Sequence, residues 1–150
     1  MATSHPELEL AAVKAMPLVL VLPPRLSALP DPVDLTDLAD EAWILPTQIS
    51  GFPGLLELAE QLWRSAGARP ASIRSVSTLQ TAVPLIAAGM GISLMPRSIT
   101  DIAGTRVEVR NSLQPVAPLH AVMVWSRQLP PSPVLELFLG VAQRTYTGEL

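Results

Sequence analysis

The sequence predicts an α/β fold with a parallel layer of strands and helices between them. Three observations carry the prediction. Short β-branched or apolar runs alternate with stretches of helical periodicity, the order that builds parallel sheets. The stretch Ser72–Arg97 reads as strand, helix, strand, a unit that implies a parallel pair with a right-handed crossover. The 16 prolines among 150 residues fall mostly between the periodic segments and punctuate them.

From the N-terminus, Glu7–Val13 alternates at Leu8 and Leu10 and hints at a strand. Pro17–Leu22 (PLVLVL) reads as a buried strand, and Pro23–Pro32 as a loop. Thr36–Asp40 fits one helical turn with Thr36 as its cap. Trp43–Leu45 is a short strand ended by Pro46, and Thr47–Pro53 is a loop. Gly54–Ala66 is the clearest helix, with Leu55, Leu58, Ala59, Leu62, Trp63 and Ala66 on one stripe. Glu57 and Glu60 lie early and Arg64 late, which suits the helix dipole. Gly67 is the stop signal and Pro70 forbids continuation.

The central stretch opens on the β-branched run Ser72–Val76. Ser77 or Thr78 can cap the next helix, whose apolar residues Leu79, Ala82, Val83, Ile86 and Ala87 fall at helical spacing. Pro84 is expected to kink it, because it lacks an N–H and crowds the Gln80 carbonyl. Gly89 closes the helix in the left-handed conformation. Gly91–Met95 is the second strand, stopped by Pro96. Ser98–Ala103 then fits a turn of helix, and Thr105–Arg110 a strand with Val107 and Val109 inward. His120–Trp125 (HAVMVW) reads as another buried strand. Ser132 and Pro133 open a final helix to about Arg144, expected to bury Val134, Leu135, Phe138 and Val141.

Ligands of parallel sheets bind beyond the carboxyl ends of the strands. For strands at 43–45, 72–76 and 91–95 those ends are Pro46–Ser50, Ser77-Thr78 and Met95–Ser98, all rich in hydroxyl, amide or backbone groups.

Composition excludes several functions. Charged residues make up 15%, net charge is −3, and the ten basic residues are scattered. Without a basic cluster to neutralise phosphates, this chain is not expected to contact nucleic acid by itself. With no cysteine there is no disulfide framework or thiolate metal site, which suits a cytoplasmic protein. Leu18–Leu22 is too short to span a membrane, and no signal-peptide cleavage site follows it. Gly89-x-Gly91 is not a dinucleotide loop, since Leu94 stands where the third glycine belongs and the glycines follow a helix. His5 and His120 are isolated, and His120 is expected to be packed. No nucleophile–base pair or metal set is legible, so neither enzymatic activity nor a cofactor is expected. Trp43, Trp63 and Trp125 are read as packing anchors. Asp31, Asp34, Asp37, Asp40 and Glu41 form a wet edge whose spacing fits no calcium loop.

Taken together and in order, five blocks resemble the effector-binding domain of LysR-type transcriptional regulators. They are LVLVLPPRLSAL, VDLTDLADEAWIL, the Gly54–Ala66 helix, STLQT followed by LIAAGMGISLMP, and HAVMVWSRQLPPSPVLELFLGVAQ. LIAAGMGISLMP is the most specific, and the resemblance covers about Leu8–Gln143. It implies a periplasmic-binding-protein-like (type 2) effector domain of two lobes. The second lobe, about 23–116, would be complete. Residues 7–22 and 119–144 would supply the crossing strands and a remnant of the first lobe, including its C-terminal helix. Residues 1–150 would then be a truncated domain, without the family's helix-turn-helix, linker helix and first half of lobe one.

The family binds a small molecule, often an organic acid, in the cleft between lobes and so alters its action at promoters. The resemblance therefore implies a small anionic effector as partner, and homo- or hetero-oligomers with other LysR-type effector domains. DNA would be reached only through a region absent from this chain, and no membrane is implied. By position it implies effector contacts at Thr47, Gln48, Ile49, Ser50, Ser77 and Thr78, with Gln80 and Met95. Ser77 and Thr78 can donate to a carboxylate beside helix N-terminal N–H groups, or simply cap the helix. Thr47, Gln48 and Ser50 can line the cleft, or form a solvated turn. Two alternatives stay open: a solute-binding protein of the same fold, or a non-functional remnant. In the remnant, Pro17–Leu22 and His120–Trp125 would lie uncovered and favour self-association.

Overall fold

The computed structural model describes residues 6–46, 54–130 and 132–147. They fall into two compact units, Pro17–Leu119 and the pair of segments Met1–Met16 and His120–Leu150.

In the first unit, strand β2 (Leu18–Leu22) is apolar at every position and buried at every position. Such a run belongs in the middle of a sheet covered on both faces. It pairs antiparallel with β5 (Ser93–Pro96) on one side and β6 (Glu108–Arg110) on the other. The strand read as buried is buried, and the uncovered surface that the remnant alternative would give it is not found: it lies at the centre of its own unit.

Strands β3 (Ala42–Leu45) and β4 (Ser72–Ser75) pair in parallel, from Ala42↔Ser72 to Leu45↔Ser75. Ile92, just before β5, bridges Trp43 in parallel: Ile44 N–H donates to the Ile92 carbonyl at 2.8 Å and Ile92 N–H to the Ala42 carbonyl at 2.9 Å. Of the expected three-strand parallel layer, only β3 and β4 form a sheet; the third run, 91–95, meets β3 through this one bridge while β5 itself pairs antiparallel with β2, so 72–76 and 91–95 do not pair with each other. Gly91 permits this arrangement. A Cβ there would lie 2.6 Å from the Ala42 carbonyl oxygen, so only glycine lets the two backbones close. Two residues earlier, Gly89 (φ +82°) ends helix α2 (Leu79–Ala87). Its N–H donates to the Ile86 carbonyl and Met90 N–H to the Leu85 carbonyl, a Schellman pair. Helix α2 runs continuously across Pro84.

Side-chain alternation sends Trp43 and Ile44 to opposite faces of the sheet. Trp43 meets Trp63 of helix α1 (Leu55–Ala66) edge to face, with ring centroids 5.2 Å apart. Ile44, Val19, Val21 and Met95 pack instead with Ala82, Val83 and Ile86 of α2 and with Ile99 and Ala103 of helix α3 (Ile99–Ala103). Helices α1 and α2 thus cover opposite faces. Strand β4 is exposed at all four positions.

The turn at Leu35–Leu38 is a 3-10 turn, and its cap is Asp34 instead of the expected Thr36. The Asp34 carboxylate accepts from the Thr36 N–H (3.0 Å), the Thr36 hydroxyl (2.9 Å) and the Gln114 amide (2.8 Å). Asp31 accepts from the Asn111 N–H at 2.8 Å, and Val33 bridges Ser112. Part of the expected wet edge therefore fastens residues 31–36 to 111–114.

In the second unit, β1 (Leu8–Met16) pairs with β7 (Leu119–Ser126), and helix α4 (Pro133–Thr147) packs on β1. The Ser132 hydroxyl accepts from Leu135 N–H at 3.4 Å, as expected of a cap. Three expectations fail here. Val134, Phe138 and Val141 are exposed, and of the four expected core residues only Leu135 is half-buried. Strand β7 is not buried throughout: Val122 and Val124 stand half exposed. His120 is exposed instead of packed. The physical reason is common to all three. With two strands and one helix among the described residues, this unit covers only one face of each element. No helix among the described residues is long and apolar enough to cross a membrane.

Candidate functional site

Open α/β sheets bind ligands where two neighbouring strands send their following helices to opposite faces. Strands β3 and β4 meet that condition, since α1 follows β3 on one face and α2 follows β4 on the other. Leu45 pairs with Ser75, and Val76 N–H donates to the Leu45 carbonyl at 3.0 Å. The chain therefore leaves both strands side by side. Buried Pro46 begins the exit from β3. Thr47, Gln48, Ile49 and Ser50, the candidates that follow it, lie outside the described residues.

On the β4 side, buried Val76 leads to exposed Ser77 and Thr78. Thr78 is the cap of α2: its backbone is extended (φ −145°, ψ 156°) and its hydroxyl oxygen accepts from Thr81 N–H at 3.0 Å. The Thr78 and Thr81 hydroxyl oxygens are 2.8 Å apart. The N–H groups of Leu79 and Gln80, in the first turn, have no acceptor within the helix and sit at its positive end. Gln80 is exposed beside them. Met95 is placed differently from the other candidates. It is fully buried in the cluster that includes Val76, Ala82 and Val83, so it supports the corner from beneath. Thr81 was not among the sequence candidates, although its spacing of three residues from Thr78 is the signal that finds it.

None of residues 45–50 and 76–81 carries an ionisable side chain. What the described corner offers is a set of neutral donors, hydroxyl, amide and peptide N–H, at a helix end that favours negative charge. It holds no acid–base pair. No three His, Asp or Glu side chains among the described residues come close enough together to hold a metal ion.

The family model for the LysR substrate binding domain matches residues 1–147. Among solved structures, the effector binding domain of QuiR in complex with shikimate is similar. Its TM-score is 0.80 and its sequence identity 25%, over 99% of this chain and 69% of that one. The BenM effector binding domain with its effector benzoate shares the fold, with TM-score 0.74 and 23% identity over 99% of this chain and 68% of that one. So does CbnR, a LysR family transcriptional regulator, with TM-score 0.76 and 23% identity; 95% of this chain spans 49% of that one. No curated protein matches the sequence.

Proposed function

Because the chain belongs to the LysR substrate binding domain family, we propose that it is the ligand-sensing part of a LysR-type transcriptional regulator and takes up a small organic acid where β3 and β4 end. The observation that carries this reading is the side-by-side exit at Leu45 and Val76, with the capped N-terminus of α2 next to it. Ser77, Thr78 and Gln80, with the N–H groups of Leu79 and Gln80, contact the acid from one strand end. Thr47, Gln48, Ile49 and Ser50 contact it from the other, and Met95 holds the corner from below. A hydroxylated carboxylate suits such a set, and the QuiR domain was solved with one, shikimate. Bound effector favours one arrangement of the regulator over another, by as much as it prefers that arrangement. The role is sensing, exercised in the cytoplasm within oligomers of LysR-type effector domains. DNA contact falls to another part of the regulator, in keeping with a net charge of −3 and scattered basic residues.

Calorimetric titration with shikimate and benzoate tests the reading. Saturable binding of one of them is expected. Ser77→Ala should weaken it roughly tenfold, the loss of one hydrogen bond to a charged group, at an unchanged melting temperature. A Ser77→Ala, Gln80→Ala chain that binds as tightly as the parent would remove this corner from the site.

A further inference from the structure

The last two turns of α1 and the start of β4 enclose a cleft within the Pro17–Leu119 unit. It lies where β4 begins, at the opposite end of that strand from the exit at Val76. Its volume is about 600 Å³, inside the range of about 300–1,000 Å³ usual for small-molecule pockets. Gly67 ends α1 in the left-handed conformation, and the chain then turns through residues 68–70 into β4 beside the helix. Trp63, Ala68, Pro70 and Ile73 make the floor apolar, and Glu60, Arg64 and Arg69 make the rim charged.

Two features of this cleft are not explained by folding alone. The first is the Trp63 indole. Trp63 is only 7% exposed, and its buried N–H finds no acceptor among the described residues. Packing against Trp43 accounts for burial of the ring but not for a hydrogen bond left unmade, which is destabilising and rare in a native structure. The second is the pair of arginines. Arg64 suits the carbonyl end of α1, and its Nε donates to the Glu60 carbonyl at 3.4 Å. Arg69 lies beyond the helix and has no such reason. Neither arginine forms an ion pair among the described residues. Two guanidiniums against one carboxylate disfavour a cation as occupant, whereas an anion with an apolar body matches both the rim and the floor.

We infer that this cleft binds an aromatic carboxylate of two rings. The rings lie on Trp63, Ala68, Pro70 and Ile73. The carboxylate accepts from the Trp63 indole N–H and pairs with Arg64 and Arg69, the planar donors best suited to it. The inference is independent of the corner at 76–81, from which the cleft is separated by the length of β4.

The test titrates the full chain with 2-naphthoate and follows the indole N–H signal of Trp63 by NMR. A saturable downfield shift is expected. Arg64→Gln and Arg69→Gln should each weaken binding roughly tenfold, the loss of a hydrogen bond between charged groups, with an unchanged circular dichroism spectrum because both side chains are exposed. 2-Naphthalenemethanol, with the same rings and no charge, should bind at least tenfold more weakly. The Ser77→Ala, Gln80→Ala chain should bind 2-naphthoate as the parent does. Absence of a saturable Trp63 shift up to the solubility of the ligand would overturn the proposal. So would a shift indifferent to both arginine variants, or one lost in the Ser77→Ala, Gln80→Ala chain. A Trp63 signal that moves on dilution of the protein alone would equally overturn it, by showing that a second copy fills the cleft.

Discussion

Gly89 and Gly91 impose different demands two residues apart. Gly89 supplies a left-handed backbone, so Gly89→Ala should cost about 1–2 kcal/mol, the penalty of a Cβ in that conformation. Gly91 supplies space against the Ala42 carbonyl, so Gly91→Ala should cost about 1–3 kcal/mol through overpacking. Urea denaturation measures both, and a Gly91→Ala chain as stable as the parent would mean that Ile92 is not seated on Trp43. Asp34 is a residue whose role could not be read locally, because its partner Gln114 is 80 positions away. Its carboxyl is held below the ordinary range, first by the Thr36 N–H, then by Gln114 and the Thr36 hydroxyl. A pKa lower in the folded state contributes stability that is complete above the unfolded value of about 3.9 and is lost as pH falls through the folded value. The stability difference between the parent and Asp34→Asn should therefore narrow on acidification. Thermal denaturation across that range reads it, and a difference that persists undiminished at low pH would exclude the ionised carboxylate as its source.

At the scale of elements, α1 was legible because its periodicity and stop signals agreed, and α2 because its periodicity, cap and stop signal did. Thr78 caps α2, so Thr78→Ala should destabilise the chain by about 1 kcal/mol while Thr78→Ser should be nearly neutral. Equal losses from both in urea denaturation would mean that the methyl group, not the hydroxyl, matters. Strand β7 and helix α4 were misjudged for a definite reason. Periodicity tells which residues share a face, but not whether anything covers that face. The Val134, Leu137, Phe138 and Val141 stripe has the spacing of a core stripe and is exposed. The adjacency of β4 and β5 was misjudged in a related way. The crossover rule gives the sense of the connection, whereas the intervening position of β3 depends on the contact at Gly91.

Over the whole molecule, the two units have unequal cores. The buried hydrophobic residues, from Leu18 to Leu119, belong to the Pro17–Leu119 unit. Amides of β2, β3 and β5 should therefore resist hydrogen exchange close to the limit of global unfolding, while those of β1 and β7 exchange through lower-energy openings. Uniform protection would contradict the division. The proposed effector corner was legible in outline, since locating three strands is enough to locate their carboxyl ends. The reversal of helix side between β3 and β4, which singles out that pair, depends on long-range packing by Trp43 and Ile44. The most direct measurement is an amide chemical-shift titration of the full chain with a panel of small carboxylates that includes shikimate and benzoate. The proposed function predicts saturable shifts concentrated at residues 47–50 and 76–82. It would be contradicted if no carboxylate gave a saturable shift there, or if the shifts lay wholly elsewhere in the chain.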